Sequence, residues 1–345
     1  MTAKAKRIVT AVIILAVAAG VFLWITRGPA AKHPKAPPSP QPAEAPAAAL
    51  GTASRPLAAQ ARPLTTPAPA SMPVRPPTSQ PPLPADASLA KGLQLMQSGK
   101  PLEARRVLSA LIFGGTLSDA EAEQARTAAT QLADETLFSK KFFDGDPYTF
   151  QYTCVSGDTL AKVERDLKLH VPTQLILRIN GLARGNDVRA GQSIKMIQGP
   201  FHAIVTKRDF TLDLYLQREG TEKVFVKRLK VGLGADGSTP VGAWKVGKGT
   251  KMLNATWFPP ASSPVRDPQR PGDPNYPLGR AGYWIGLVGT DLNTASSTGY
   301  GIHGTNDPNS IGQAASLGCI RLADPDIERV FSLLYEEWSS VQVMP

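Results

Sequence analysis

Seventeen prolines fall between residues 28 and 86, and that stretch dictates how the rest of the chain is arranged. Each proline fixes φ and removes a backbone donor, so a segment this rich in proline sustains neither helix nor sheet. Alanine, serine, threonine and glutamine fill most of the remainder, which leaves too little bulky apolar side chain to bury a core. We read residues 28–86 as a disordered linker. Fully extended as polyproline II it reaches roughly 180 Å, and as a flexible coil it averages about 45 Å. Any core must be built from the residues beyond 86.

The segment preceding the linker has a different character. Lys4, Lys6 and Arg7 lead into a run from Ile8 to Thr26 that carries no charge. Such a run is long enough to cross a bilayer as a helix. A cleaved signal peptide, cut near Ala30 or Ala31, is the rival reading, but its apolar region usually spans only about 7–15 residues. Residues 1–27 are therefore expected to form a cytoplasmic tail and transmembrane anchor. The net charge of +10 belongs mainly to this end. Residues 1–91 hold ten Lys and Arg against two acidic residues, whereas residues 200–345 hold 15 against 14. No basic stripe with interleaved aromatics is present, so nucleic acid is not expected as a partner.

Residues 87–145 read as helical. Leu89, Leu93 and Met96 share one face, as do Ala104, Val107, Leu108 and Leu111. Gly99-Lys100-Pro101 separates the first helix from the second. Ser118 and Glu121 have capping-box spacing ahead of Ala122, Ala125, Ala129 and Leu132. The pattern Gly92, Gly99, Ala104, Leu108 resembles one tetratricopeptide unit, and a helical spacer or docking platform is expected. Residues 150–197 show a strand, helix, helix, strand pattern with turns at Gly157 and Gly181. From Phe201 onward apolar and polar residues alternate over 202–206 and 211–216, which is the period of strands. Residues 255–282 form a long loop with seven prolines between Pro259 and Pro277. It is either a lid over a site or an ordinary surface loop. Asp324-Pro325 should open a final helix running to about Trp338, and Val341 and Val343 mark a closing strand.

The chemistry concentrates near the end. Cys319 is one of two cysteines and His303 one of four histidines. They lie 16 positions apart in a Gly-, Ser- and Asn-rich segment. A cysteine attacks carbonyls as its thiolate, and a nearby imidazole can take the proton. A small neighbour such as Gly318 lets backbone N–H groups face a developing oxyanion. Spacing alone leaves three other readings open. The two residues can be ordinary buried structure, half of a metal site with no further ligand at metal spacing, or, for the cysteine, one end of a Cys154–Cys319 disulfide.

The run His303-Gly304-Thr305-Asn306, then Ser310-Ile311-Gly312, then Ser316-Leu317-Gly318-Cys319-Ile320-Arg321-Leu322 resembles the signature of the L,D-transpeptidase (YkuD-type) catalytic domain. Ser238-Thr239-Pro240-Val241-Gly242-Ala243-Trp244, Pro277-Leu278-Gly279 and Tyr283-Trp284-Ile285-Gly286-Leu287 resemble upstream segments of that family, in the family's order. Many members carry a second histidine where this chain has Leu317. Residues 150–197, opening at Val155-Ser156-Gly157-Asp158-Thr159-Leu160 and passing through Ile179-Asn180-Gly181-Leu182, resemble a LysM module.

These resemblances imply a multidomain fold: a transmembrane helix and disordered linker, a small α-helical segment, a βααβ LysM module at 150–197, and a mainly-β L,D-transpeptidase catalytic domain at 200–345. They imply Cys319 as nucleophile and His303 as base. Gly304, Ser316, Gly318 and Arg321 would serve the oxyanion or the substrate. The Gly304 carbonyl would orient the imidazole, and Arg321 would bind a substrate carboxylate or pair with Asp324. Gly157, Asp158, Thr159, Asn180 and Gly181 would bind glycan, or Asp158 and Asn180 would only cap and turn the chain. Cys154 falls where the LysM pattern places an apolar strand residue, so it is expected to be buried and inert. The implied partners are the glycan and stem peptides of peptidoglycan, carbapenem-type inhibitors, and the inner membrane through the N-terminal helix, with the folded part on the periplasmic side. No metal or organic cofactor is implied. The implied reaction is stem-peptide crosslinking through a thioacyl enzyme. Release of the same thioester to water, or wall tethering without catalysis, are the alternatives.

Overall fold

The computed structural model describes residues 86–260 and 263–345. The expected anchor at 1–27 and the linker up to residue 85 lie outside the described residues. Among the described residues no helix is long and apolar enough to cross a membrane.

Three helices come first: α1 (Leu89–Gln97), α2 (Pro101–Gly114) and α3 (Asp119–Ala133). Pro101 occupies the first turn of α2, where its missing N–H costs no hydrogen bond. Ser118 and Glu121 form the full capping box at the start of α3. The buried face of α1 centres on Gly92 and Leu95, while Leu89, Leu93 and Met96 are only half-buried at its flanks. The reason is close helix approach. A Cβ on Gly92 would stand 2.5 Å from Leu108 of α2, so the glycine draws the two helices together there.

A two-stranded antiparallel sheet of β1 (Thr149–Thr153) and β2 (Ser193–Ile197) encloses α4 (Leu160–Asp166) and α5 (Thr173–Asn180). This is the strand, helix, helix, strand order expected at 150–197. The remaining strands are β3 (Phe201–Thr206), β4 (Thr211–Leu216), β5 (Val224–Lys230), β6 (Leu233–Gly234), β7 (Gly242–Met252), β8 (Trp284–Gly289), β9 (Gly301–Gly304), β10 (Ala314–Ser316), β11 (Ile320–Leu322) and β12 (Ser340–Met344). Eight of them build one mixed sheet in the order β11-β9-β8-β7-β12-β3-β4-β5. The short β6 and β10 pair beside it. The β9–β11 and β3–β12 pairs are parallel.

The helical segment is not a free-standing spacer. Phe225 of β5 is buried inside the three-helix cluster with Leu108, Ala125 and Leu132. The Phe225 N–H donates to Ser109 Oγ at 3.0 Å, and Arg106 pairs with Glu222 at 2.9 Å. β5 is the last strand of the sheet, and an uncovered terminal strand invites pairing with other chains. A helical unit with too few repeats to bury its own face thus finds its neighbour in the sheet, and the sheet finds cover for its edge.

The βααβ unit is held from both sides. Before it, Arg105 makes a buried two-point pair with Asp146 at 2.8 and 3.2 Å. The buried Lys195 ammonium donates to the carbonyls of Thr136, Ser139 and Lys141, and its burial pushes its pKa down to about 8. After it, Arg178 reaches Glu328 at 3.4 Å, and the rings of His170 and Trp338 stack with centroids 3.5 Å apart. One continuous apolar core runs from Leu137 through Ile176 and Leu214 to Ile302 and Val343.

The last helix, α6 (Asp324–Leu333), is shorter than expected. It stops at Leu333 rather than near Trp338, because Leu334 turns extended. The half-buried Lys251 closes that end by donating to the carbonyls of Phe331 and Leu334, where a cation is favoured. At the other end Ala323, not Asp324, is the cap residue. The Asp324 carboxylate instead accepts from the Arg280 N–H at 3.2 and 3.3 Å.

Candidate active site

The site is assembled by the parallel pairing of β9 with β11. Ile320 lies opposite Ile302, Arg321 opposite His303, and Leu322 opposite Gly304. Side chains alternate along a strand, so Arg321 and His303 emerge on one face. Carried one residue further, the same register sets Cys319 level with Gly301, on that face and one diagonal step from His303. The neighbouring β8 places Trp284 opposite His303, and the two rings stack at 5.6 Å with planes 15° apart. Of the two residues 16 apart in sequence, His303 therefore lies on β9 and Cys319 immediately before the adjacent β11.

His303 is only 5% exposed. Its Nδ1–H donates to the Gly304 carbonyl at 2.5 Å. That bond fixes the tautomer and leaves Nε2 as the unprotonated nitrogen, which is what a base needs. Burial pushes the imidazole pKa down to about 4, the Gly304 bond works against it, and Arg321 adds to the depression. The half-buried Cys319 thiol is pushed up by burial, with the Gly301 N–H and Arg321 opposing. At neutral pH Cys319 thus rests as a thiol, donating to the Gly299 carbonyl at 3.8 Å, with the neutral imidazole one diagonal step away. Its thiolate forms as the proton is taken, and Arg321 is the cation nearby that favours it.

The turn bearing Cys319 is clamped. Ser316 Oγ accepts the Gly318 N–H at 3.0 Å and donates to the Cys319 carbonyl at 2.7 Å. Gly318 has φ +129°, and a Cβ there would stand 2.6 Å from the Tyr300 ring, so only glycine fits. Two expected roles change accordingly. Ser316 is a clamp on the turn rather than a group offered to substrate, and the Gly318 N–H is committed to Ser316 and not to an oxyanion. Gly304 serves the imidazole through its carbonyl rather than the oxyanion. Arg321 does not pair with Asp324, whose carboxylate holds the Arg280 N–H. Leu317 points outward and is 70% exposed. Both cysteines are free, and Cys154 is buried, so the two form no disulfide.

The proline-rich loop packs toward the site. Ala255, Tyr276 and Leu278 form a small buried cluster with Trp257 and with Trp284, the ring that covers His303. Between this loop and Thr305, Asn306 and Pro308 lies an open groove of about 720 Å³, with Asp273, Arg280 and Asp324 in its walls. Sequence spacing assigns no role to Trp284, Tyr300 or Lys207. Strand register, ring stacking and hydrogen bonding identify them, and none of these is visible in spacing.

In the βααβ unit, Gly157 and Gly181 sit at turns with φ of +85° and +65°. Asp158 accepts from the Val155 N–H and the Tyr152 hydroxyl. Thr159 caps α4 by accepting the Lys162 N–H. Asn180 is buried, and its amide is spent on the Ile176 and Lys195 carbonyls and on the Lys195 N–H. Asn180 therefore joins α5 to β2 rather than offering its side chain to a ligand. The turns around 154–159 and 182–192 adjoin through the Leu160 N–H to Gly185 carbonyl and Cys154 N–H to Gln192 carbonyl bonds. Val155, within the first of these turns, is exposed.

Residues 200–343 match the model of the YkuD family, described as the L,D-transpeptidase catalytic domain. The chain is 31% identical to the protein of Bacillus licheniformis named for the L,D-transpeptidase YkuD, over 190 residues that span 53% of this chain and 92% of that protein. The corresponding Bacillus subtilis protein is 30% identical over the same shares. The YbiS protein of Escherichia coli, named for an L,D-transpeptidase, is 32% identical over 34% of this chain and 37% of its own length. Among solved structures, an L,D-transpeptidase from Mycobacterium smegmatis aligns with a TM-score of 0.32 at 13% identity, over 45% of this chain and 64% of that one.

Proposed function

We propose, from the premise that this chain belongs to the L,D-transpeptidase (YkuD) family, that it crosslinks peptidoglycan stem peptides through a thioester on Cys319. The carrying observation is the buried His303, its Nδ1–H pinned to Gly304 so that Nε2 is the unprotonated nitrogen, on the strand paired with the one that Cys319 leads into. Cys319 Sγ attacks the carbonyl between the third residue and the terminal D-residue of a tetrapeptide stem. The thiol proton passes to His303 and on to the departing amine, as one base-acid can manage. One amide breaks and one thioester forms. An amine of a neighbouring stem then attacks the thioester, its proton returns through His303, and the thiol is regenerated. Arg321 adds positive charge on the same face, suited to a stem carboxylate. A carbapenem, with its strained carbonyl, is expected to stop at the acyl stage.

The βααβ unit supplies glycan affinity in this reading, with Gly157, Asp158, Thr159 and Gly181 shaping the joined turns and Val155 exposed upon them. A match over 53% of the chain is too long to fit within residues 200–345 and so takes in most of this unit. The charge-free run from Ile8 to Thr26 would hold the protein in the inner membrane, and the linker would let the folded part work at the wall on the periplasmic side.

The test is mass analysis of purified wall peptides after incubation with the full-length protein in detergent. New dimers support transfer. Tripeptides alone would make it a carboxypeptidase, and unchanged peptides would leave only a tether. Sedimentation of full-length Cys319→Ser with insoluble peptidoglycan tests the glycan claim. Retention in the supernatant, or sedimentation undiminished by Val155→Asp, would count against the βααβ unit as the binder.

A further inference from the structure

We propose that Thr239 is the positioning residue that aims the Cys319 N–H as the oxyanion donor. This rests on the thioacyl reading of Cys319 and adds a residue to it. Thr239 lies in the loop between β6 and β7 and is buried. Its hydroxyl accepts the Gly234 N–H at 2.8 Å and donates to the Gly318 carbonyl at 2.8 Å. A hydroxyl has one proton, and here that proton has one destination.

The Gly318 carbonyl belongs to the planar peptide group whose other end is the Cys319 N–H. In a trans peptide the C=O and N–H point in opposite directions. Holding the oxygen therefore fixes the direction of the nitrogen. The remaining groups of the turn are committed: Ser316 takes the Gly318 N–H and the Cys319 carbonyl. Among the described residues the Cys319 N–H has no acceptor. It is the donor left for the oxygen that becomes negative when Sγ attacks a carbonyl. The donor must be held before the charge develops, because reorganising it during the reaction would cost part of its benefit.

Thr239 is itself tied down. The Lys207 ammonium donates to the Thr239 carbonyl at 2.6 Å and to the Gly237 carbonyl at 3.1 Å. Lys207 thus holds the backbone that carries the Thr239 hydroxyl. The relay itself runs from the Gly234 N–H through that hydroxyl to the Gly318 carbonyl. Each donor in such a chain polarises the next, so the Cys319 N–H becomes a better donor as well as a better aimed one.

Two reactions of Cys319 separate this role from a merely structural one. Acylation by a carbapenem develops an oxyanion, whereas alkylation by iodoacetamide displaces iodide and develops none. In the full-length protein, Thr239→Val should slow carbapenem acylation by about ten- to a hundredfold, somewhat less than the loss of an oxyanion donor outright. Alkylation at the same pH should stay within about twofold, and Thr239→Ser should restore acylation. Lys207→Met, on a partly exposed side chain, should slow acylation in the same direction by a few-fold, and it decides the matter if the valine variant does not fold. Acylation unchanged in Thr239→Val and Lys207→Met, acylation and alkylation falling together, or a serine variant as slow as valine, would each overturn the assignment. Failure of the wild-type protein to acylate at all would instead strike at the thioacyl reading.

Discussion

Arg321 stands directly opposite His303 across the parallel strands β9 and β11, and its charge pulls the pKa of that imidazole and of the Cys319 thiol down together. The two effects serve the reaction in different ways. A lower thiol pKa favours the nucleophile, while a lower imidazole pKa keeps the base unprotonated over a wider pH range. Burial moves the imidazole the same way as Arg321 does, to about 4, and moves the thiol against it.

The rate of carbapenem acylation should therefore be nearly flat across the neutral range. It should fall only as pH approaches about 4, where His303 takes up a proton and ceases to be a base. Stopped-flow acylation across buffers of constant ionic strength measures this. An acid limb near the ordinary histidine value would show that the base is either solvated in the working enzyme or is not His303.

Arg321→Met should move both groups upward, since the charge that lowers each is gone. The acid limb of acylation should shift to higher pH, and iodoacetamide alkylation at a fixed neutral pH should slow because less thiolate is present. A pH profile of both reactions in wild type and variant reads the two shifts. A variant whose acid limb stays in place would mean that burial alone sets the imidazole.

The same histidine couples stability to acid. Its folded pKa lies below its unfolded value, so the unfolded chain binds the proton more readily. This contribution is fully present above the unfolded pKa and is lost as pH falls from about 6.5 toward about 4. Over that window it amounts to about 3 kcal/mol, as an order of magnitude. Urea titrations at neutral pH and near the folded pKa should show a steeper loss for wild type than for His303→Gln, which has no proton to gain. Parallel losses would indicate that other groups carry the acid sensitivity.

Phe225→Ala tests how the helices are attached. The ring fills the centre of the three-helix cluster from the edge strand. Its removal should cost about 3–5 kcal/mol, the usual range for a buried aromatic. It should also raise amide exchange over 89–133 and at the β5 edge together. Loss of protection in the helices alone would mean that the edge strand does not depend on them.

How much of the fold is legible in the sequence depends on how local each signal is. The capping box at Ser118 and the break at Gly99-Lys100-Pro101 act within a few residues, and both elements begin where those residues require. The alternation at 211–216 predicts a strand of those bounds. It does not reveal that all six positions are buried, because both faces are covered by elements distant in sequence. Helix α6 stops early through Lys251, about 80 residues upstream, which no local reading of Leu333 can supply. The site divides in the same way. His303 and Cys319 are legible because their chemistry is rare in this chain. Ser316 stands out in sequence as a substrate group, yet its hydroxyl turns back on its own turn. Thr239 belongs to a recognisable segment that by itself suggests no role. Both roles depend on hydrogen-bond geometry that only the folded turn provides.

Leu317 is the position where many relatives would place a second histidine, and the last prediction concerns its replacement. The side chain is 70% exposed on the turn, between the buried Ser316 and Gly318, whose positive φ only glycine adopts without strain. It takes no part in the clamp, which is made by Ser316 with its partners at Gly318 and Cys319. An imidazole there would be solvated and would find the base already present in His303. Leu317→His should therefore change carbapenem acylation and crosslinking by less than about tenfold, or about 1.4 kcal/mol of barrier. Intact-protein mass against time gives the first rate, and dimer yield from wall peptides gives the second. A gain of several orders of magnitude would show that Leu317 disables the native site, and wall tethering would then replace crosslinking as the reading of this chain.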